Sequence, residues 1–334
     1  MIIEQICSNE NIESACDYLL KKRDSCGLDG MYLSELPTYL AHNKNLLVRT
    51  LSNGDYKFKL AEKRVILGKS GKQRQITLLN SIDRLVLRMM YQVMNPVLSV
   101  DFCENSFAYI EGRGTFEAVE TARKYIENGL EYVTEIDIRN YFDSINHTIL
   151  MEKLSKYDFD TATLCLIRGF LNIKVKFEDR IQTNTLGILQ GSSLSPLLSN
   201  LFLSDIDHSM DLEKIPYIRF SDDIKIFTSD FDSGSLWLKK VSGMLDALKL
   251  KTSDNKCGVF PATNRTYFGY EMIQTKDGIL TQRRSRSQSV RFTDWNTAKL
   301  EWRDGDYHIV SDGILTKKTS ASCSRILIRR CIFP

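Results

Sequence analysis

Histidine is scarce in this chain, with 4 residues among 334, and none of them is spaced to share a zinc ion. The 8 cysteines, at positions 7, 16, 26, 103, 165, 257, 323 and 331, never form a C-x2-C pair. That excludes the common zinc-finger layouts and leaves reduced structural thiols as the simplest account. No apolar run is long enough to span a bilayer, and the opening MIIEQICSNENIES lacks the basic start and apolar core of a secretory signal. A cytoplasmic protein with no membrane partner is therefore expected. There is no internal repeat, and no low-complexity tract apart from RRSRSQSVR at 283–291.

What is present is ordinary in bulk and uneven in detail. Hydrophobic residues make up 43% and charged residues 26%, as in folded soluble proteins, and the length predicts two or three subdomains. Residues 276–334 hold 12 Lys and Arg against 6 Asp and Glu, a surplus of +6 in a chain whose total is +3, so residues 1–275 carry −3. A basic end of this kind suggests contact with a polyanion, although a solvated charged face has the same composition.

The first 60 residues read as mainly helical, with apolar residues recurring at three and four in NIESACDYLLKK and MYLSELPTYL. In KRVILGKSGKQRQITLL (63–79) two β-branched runs flank Gly68-Lys69-Ser70-Gly71-Lys72, a hairpin signal with cations at its tip. By itself this reads as a surface hairpin with an edge guarded by lysines. SIDRLVLRMMYQVMNPVLS then predicts an amphipathic helix stopped near Pro96.

Two acidic signals carry the chemistry. In RFSDDIKIF (219–227), Ile218 and Phe220 on one side and Ile224 and Ile226 on the other alternate as in half-buried strands, so Ser221-Asp222-Asp223 is expected at a tight turn. Two carboxylates about 6 Å apart repel by roughly 3 kcal/mol at an effective dielectric of 20. Such a turn is tolerated when a cation collects it, although acidic turns are common and a pair of aspartates alone carries little. In YVTEIDIRNYF (132–142), Ile136 and Ile138 share one strand face and Asp137 points to the other. Asn146 then caps a helix through TILMEKLSKY. If the two strands are neighbours, three carboxylates converge. That set suits a pair of Mg²⁺ ions roughly 3.5–4 Å apart, which stabilise the attacking and leaving oxygens of a phosphoryl transfer.

Between the acids, LGILQGSSLSPLLSNLFLSDID (186–207) places Gly187 and Gly191 where unusual backbone angles are allowed, with Ser195 as expected N-cap and Pro196 as first helical residue. A loop of this kind is suited to lie against a nucleotide or template base, and it is equally a plain capped helix.

The ordered set RQI (74–76), NSFAYIEGRGTFEAV (105–119), DIRNYFDSI (137–145), QGSSLSPLLSNLFL (190–203), FSDD (220–223) and YFGYE (267–271) resembles the reverse transcriptases, particularly the bacterial group II intron-like branch, over roughly residues 58–275. The resemblance implies an α+β right-hand polymerase fold whose palm is an antiparallel sheet bearing the aspartates. Its expected parts are fingers at 1–131, palm at 132–147 and 186–275, a fingers/palm insertion at 148–185 and a short basic thumb at 276–334. It implies that Asp137, Asp222 and Asp223, with the backbone oxygen of Ile138, bind two Mg²⁺ ions, and that Lys256 protonates leaving pyrophosphate. Arg74, with Lys63 or Lys72, would grip the incoming deoxynucleoside triphosphate. Phe142 would act as a gate against the ribose 2′-hydroxyl, beside Asn140 and Tyr141, and Gln190 would lie at the nascent base pair. The segment from Tyr267 to Glu271 would hold the primer end. RNA template and nascent DNA are the implied partners, and an accessory protein or a second copy of the chain is left open.

Phe220 stands where most of the family has tyrosine, while the QGxxxSP pattern is intact. The Asn-Ala-x-x-His and Val-Thr-Gly signatures of retron enzymes are not visible. The 59 residues after 275 leave room for a short thumb and none for a maturase, endonuclease or RNase H extension. The chain thus looks similar to stand-alone reverse transcriptases of bacterial antiphage defence, which copy a dedicated noncoding RNA or make untemplated or protein-templated DNA; RRSRSQSVR and the late basic pairs would bind such an RNA through its phosphates. A retron or group II intron-like enzyme, a catalytically reduced nucleic-acid scaffold and an RNA-dependent RNA polymerase are the alternatives. Phe142 argues against the last, because ribonucleotide polymerases need a small or polar group there.

Overall fold

The computed structural model describes residues 1–67, 73–275, 278–283, 299–303, 306–311 and 314–317. The hairpin tip Gly68–Lys72, nearly all of RRSRSQSVR and the late RR pair lie outside the described residues. One compact unit spans Met1–Arg283 and a second spans Arg284–Pro334.

As the apolar spacing predicts, the chain opens in helices, α1 (Ile2–Ile6), α2 (Asn9–Leu20) and α3 (Leu36–Ser52). The hairpin β1 (Ala61–Leu67) and β2 (Gln73–Leu78) follows, then α4 (Ser81–Leu98). α4 ends two residues past Pro96, near the expected stop; the proline lies inside the last turn, where its missing N–H costs a single bond near an end that already frays. Next come α5 (Thr115–Glu127), β3 (Tyr132–Asp137), α6 (Tyr141–Ser144), α7 (His147–Leu154) and α8 (Thr161–Leu171). The Asn146 side chain caps α7 by accepting from the Ile149 N–H at 3.1 Å, as expected. The hairpin β4 (Lys174–Phe177) and β5 (Arg180–Thr183) leads to α9 (Ser195–Leu212). The cap of α9 differs from expectation. Ser195 is already helical, and the Ser192 hydroxyl accepts its N–H at 2.9 Å while the Ser195 hydroxyl turns back to the Leu189 carbonyl at 2.6 Å.

The unit closes with β6 (Tyr217–Phe220), β7 (Asp223–Thr228), α10 (Phe231–Ala247), β8 (Gly258–Pro261), β9 (Arg265–Tyr267), β10 (Tyr270–Thr275) and β11 (Gly278–Arg283). Four strands form an antiparallel sheet in the order β6-β7-β3-β8. A second sheet, β2-β1-β4-β5, joins the N-terminal hairpin to residues 174–183 through a parallel β1–β4 pair, and a third runs β11-β10-β9. In the second unit, β12 (Lys299–Arg303), β13 (Asp306–Ser311) and β14 (Ile314–Lys317) pair antiparallel. The main core joins α4, α8 and α9 to one face of the four-stranded sheet. A smaller core packs α5, through Ala118, Val119 and Ala122, with Val133, Ile218 and Phe227. Among the described residues, no helix is long and apolar enough to cross a membrane and no cysteine is disulfide-bonded.

One buried acid ties the approach to β1 onto α4. Asp83, fully buried, accepts from the Tyr56 hydroxyl at 2.7 Å and the Lys59 N–H at 3.1 Å. Burial pushes its carboxyl up to about 6, against the pull of those bonds. The folded state thus keeps a proton that the unfolded chain releases near pH 4, so stability falls as pH rises from about 4 to 6. The full fall is worth about 3 kcal/mol. Asp83→Asn keeps one of the two acceptor oxygens and removes the titration, so it should flatten this dependence in urea midpoints measured across that range; an unchanged slope would reject the assignment.

Candidate active site

The period-two pattern around Asp137 and the acidic turn is realised as a shared ladder. In the β3–β7 register Asp137 faces Asp223, and one step further in Glu135 faces Lys225. Paired residues on adjacent antiparallel strands lie about 5 Å apart, so the two aspartates meet at one end of the two central strands. Asp222 stands on the turn between β6 and β7, with Ser221 before it in the left-handed region at φ 61°. Ile138 continues β3 with its side chain buried, and its N–H reaches the Asp222 carbonyl at 3.4 Å.

Arg219 fixes that turn. Its guanidinium is fully buried, donates to Asp207 of α9 from Nε at 2.8 Å and Nη2 at 2.5 Å, and from Nη1 to Asn200 Oδ1 at 3.0 Å and the Ser221 carbonyl at 3.2 Å. The sequence pattern leaves one face of β6 to solvent, whereas α9 covers it and satisfies the arginine there.

Three cations hold the acids. Lys256 Nζ donates to both oxygens of Asp137, at 3.0 and 3.2 Å. Lys225, with 6% of its side chain exposed, pairs with Asp223 at 3.2 Å and Glu135 at 3.3 Å, and Arg265 Nη2 reaches Glu135 at 2.8 Å. Desolvation raises the Asp222 carboxyl above its ordinary value, with the Asp137 charge adding to it. Asp223 moves the same way, mainly through desolvation and against the pull of Lys225, although its side chain stays partly open to water. A cavity of about 310 Å³ opens here between Asp137, Asp223, Lys256 and Arg265.

Hard carboxylate oxygens on two neighbouring strands and a turn suit a divalent cation, and the Lys256 ammonium against Asp137 marks where positive charge is drawn. The expected convergence holds for the backbone positions. Among the described residues, however, no three His, Cys, Asp or Glu side chains are gathered as a ready-made metal cage; Lys256 and Lys225 hold Asp137 and Asp223. The carboxylates fit the metal once those ammonium groups yield.

The glycine-rich loop is shaped against both neighbours. A Cβ on Gly187, at φ 80°, would meet the Asp143 backbone at 2.6 Å, and one on Gly191, at φ 114°, would meet the Thr77 carbonyl at 2.8 Å. The Ile188 N–H donates to the Phe142 carbonyl at 2.7 Å, and the Thr77 N–H to the Gln190 carbonyl at 2.8 Å. The loop therefore brings Phe142 and Gln190 to one stretch of backbone and ties β2 to it. The half-buried Phe142 ring is braced edge-on by Tyr141 at 5.7 Å and Tyr109 at 6.4 Å.

Asn140 is exposed, with φ 48°. Tyr141 departs from expectation as a nucleotide contact: its ring is buried and its hydroxyl donates to the Ser199 carbonyl, so the side chain serves the core. Lys63 reaches Asp143 at 3.5 Å. Arg74 pairs with Ile66 through the backbone, whereas its side chain and the whole of Lys72 lie outside the described residues. The Tyr267–Glu271 segment is a hairpin turning at Phe268-Gly269, and the Phe268 ring packs on Phe220 at 5.2 Å, against the acidic turn.

Sequence reasoning missed Glu135, Lys225 and Arg265. Glu135 and Lys225 lie two residues from Asp137 and Asp223, on the same strand faces, a signal that was available. Nothing local announced Arg265, because the β9 hairpin approaches from more than a hundred residues away.

The family model described as reverse transcriptase (RNA-dependent DNA polymerase) matches residues 62–272. Protein YkfC of Escherichia coli (strain K12) is 30% identical over 188 residues, which cover 54% of this chain and 49% of that protein. The group II intron-encoded protein LtrA of Lactococcus lactis is 22% identical over 244 residues, 70% of this chain and 40% of that protein. This chain thus spans about half or less of the length of these relatives. A solved structure of telomerase from Candida albicans in complex with a fragment of telomeric RNA matches at a TM-score of 0.52 and 14% identity, covering 76% of this chain and 51% of that one. The last likeness is one of fold.

Proposed function

The chain belongs to the reverse transcriptases, and from that premise we propose that it is an RNA-directed DNA polymerase that adds deoxynucleotides to a primer 3′-hydroxyl. The observation that carries the reading is the pairing of Asp137 with Asp223 across neighbouring strands, with Asp222 on the adjoining turn. Asp137, Asp222, Asp223 and the Ile138 carbonyl would hold two Mg²⁺ ions. Bound there, the ions lower the pKa of the primer hydroxyl and neutralise charge on the triphosphate.

The chain's own residues position and screen. Lys225 holds Asp223 at the end of the central strands. Lys256, at the mouth of the cavity, can swing from Asp137 to the leaving pyrophosphate and give it a proton. Lys63, with Arg74 and Lys72, neutralises the triphosphate, and Gln190 backs the nascent base pair. The Phe268 turn, leaning on Phe220, supports the primer end.

Phe142 selects the sugar, because a ring braced by Tyr109 and Tyr141 cannot retreat from a 2′-hydroxyl. Phe142→Ala should raise ribonucleotide incorporation relative to deoxynucleotide by about 100-fold, read in primer extension with each triphosphate. Unchanged selectivity would reject the gate.

The narrower reading is that the template is a dedicated noncoding RNA of a bacterial antiphage system. It is supported by the resemblance and by the basic composition of residues 276–334. The test is to purify the protein with its bound nucleic acid, add Mg²⁺ and labelled deoxynucleotides, and sequence both RNA and product. DNA complementary to one discrete RNA supports it; extension only of a supplied primed RNA leaves the general polymerase.

A further inference from the structure

The two ammonium groups paired with the aspartates differ in where they can go when a divalent cation takes their place. Lys256 keeps 59% of its side chain exposed, so on leaving Asp137 it passes into water. Lys225 has no such exit: 6% of its side chain is exposed, and the Tyr267 and Phe268 ring centres lie 5.6 and 5.5 Å from its Nζ. An ammonium this dry must keep a carboxylate partner, because a buried charge without one is strongly destabilising. A cation that binds Asp223 therefore needs somewhere to send Lys225.

Glu135 is built to take it. The β3–β7 register sets Glu135 across from Lys225, as it sets Asp137 across from Asp223. The ammonium lies almost evenly between two acids, 3.2 Å from Asp223 and 3.3 Å from Glu135. Arg265 holds the receiving carboxylate still: its Nε and Nη2 donate to the two oxygens of Glu135 at 3.3 and 2.8 Å, and its guanidinium lies 4.0 Å from the centre of the Phe260 ring. This fork leaves Glu135 Oε1 within reach of Lys225 as well. A lean of the ammonium thus trades one carboxylate for the other without carrying the charge through an unpaired position.

We infer that Glu135 is a positioning residue for the metal site, receiving Lys225 when a divalent cation takes Asp223, so that ion and ammonium do not compete for one carboxylate. The inference rests on the polymerase reading, in which Asp223 is a metal ligand. Acting through Lys225 separates Glu135 from any other acid near the site. A plain negative charge strengthens cation binding whether or not the lysine is there, whereas a receiver matters only while there is a lysine to receive.

The test is a Mn²⁺ titration of the full chain, followed by loss of the free ion's paramagnetic signal, in the parent, Glu135→Gln, Lys225→Met and the two combined. Glu135→Gln should weaken binding about tenfold, the scale on which a ligand's outer partner acts, and Lys225→Met should tighten it. In the Lys225→Met background, Glu135→Gln should cost less than about twofold. Lys225→Gln repeats the cycle with a polar side chain, and thermal unfolding of every variant keeps a folding defect from passing as a metal defect. An equal loss in both backgrounds, or no loss in either, would overturn the inference and leave Asp223 as a ligand. Mn²⁺ that binds Asp222→Ala as tightly as the parent would instead refute the metal site, and the inference with it.

Discussion

Asp222→Ala should abolish primer extension, lowering its rate by at least about 10³-fold, while leaving the protein as stable as before or more so. The two halves follow from one fact. The Asp222 carboxyl sits where burial and the Asp137 charge both oppose its ionisation, so the fold gains nothing from the charge, and holding it there costs stability. A group kept at such a cost is useful once a divalent cation binds it, and the variant should weaken Mn²⁺ binding followed by its paramagnetic signal. Thermal unfolding and a metal titration therefore separate loss of the site from loss of the fold. Substantial extension by Asp222→Ala would remove the aspartates from the mechanism.

The backbone placement of the candidate site was legible because it is local in kind. Alternation placed Asp137 on a strand face and the paired aspartates on a turn, and glycines at 187 and 191 announced backbone that side chains would obstruct. Their meeting in register was a conditional inference, and pairing of β3 with β7 satisfies the condition. What could not be read depended on distant partners. Arg219 looked like the outward residue of a half-buried strand, because nothing in β6 says that α9 will cover its second face. Tyr141 looked like a neighbour of the sugar gate until Ser199 drew its hydroxyl inward. The lysines that pair with Asp137 and Asp223 likewise depend on side-chain placement, which strand periodicity does not specify.

Arg219→Ala is expected to have the largest effect on stability, a loss of about 3–5 kcal/mol, measured by urea denaturation near pH 7. The pair it breaks is sealed from water, with Arg219 at 0% and Asp207 at 1% side-chain exposure. Burial already raises the Asp207 carboxyl, and the Arg219 charge is the main force opposing that rise. Without the arginine the carboxylate is left charged in a dry site or must take up a proton. Its folded pKa then climbs further above the unfolded value, so the variant's stability should fall as pH rises through the range between the two, and be least impaired in mild acid. Arg219→Met with Asp207→Leu removes both charges and should recover much of the loss, which a double-mutant cycle measures as coupling. Recovered stability should not restore extension in full, since Ser221 loses the guanidinium that fixes the turn before Asp222. An Arg219→Ala protein within about 1 kcal/mol of the parent would show that the pair is not the buried brace its geometry describes.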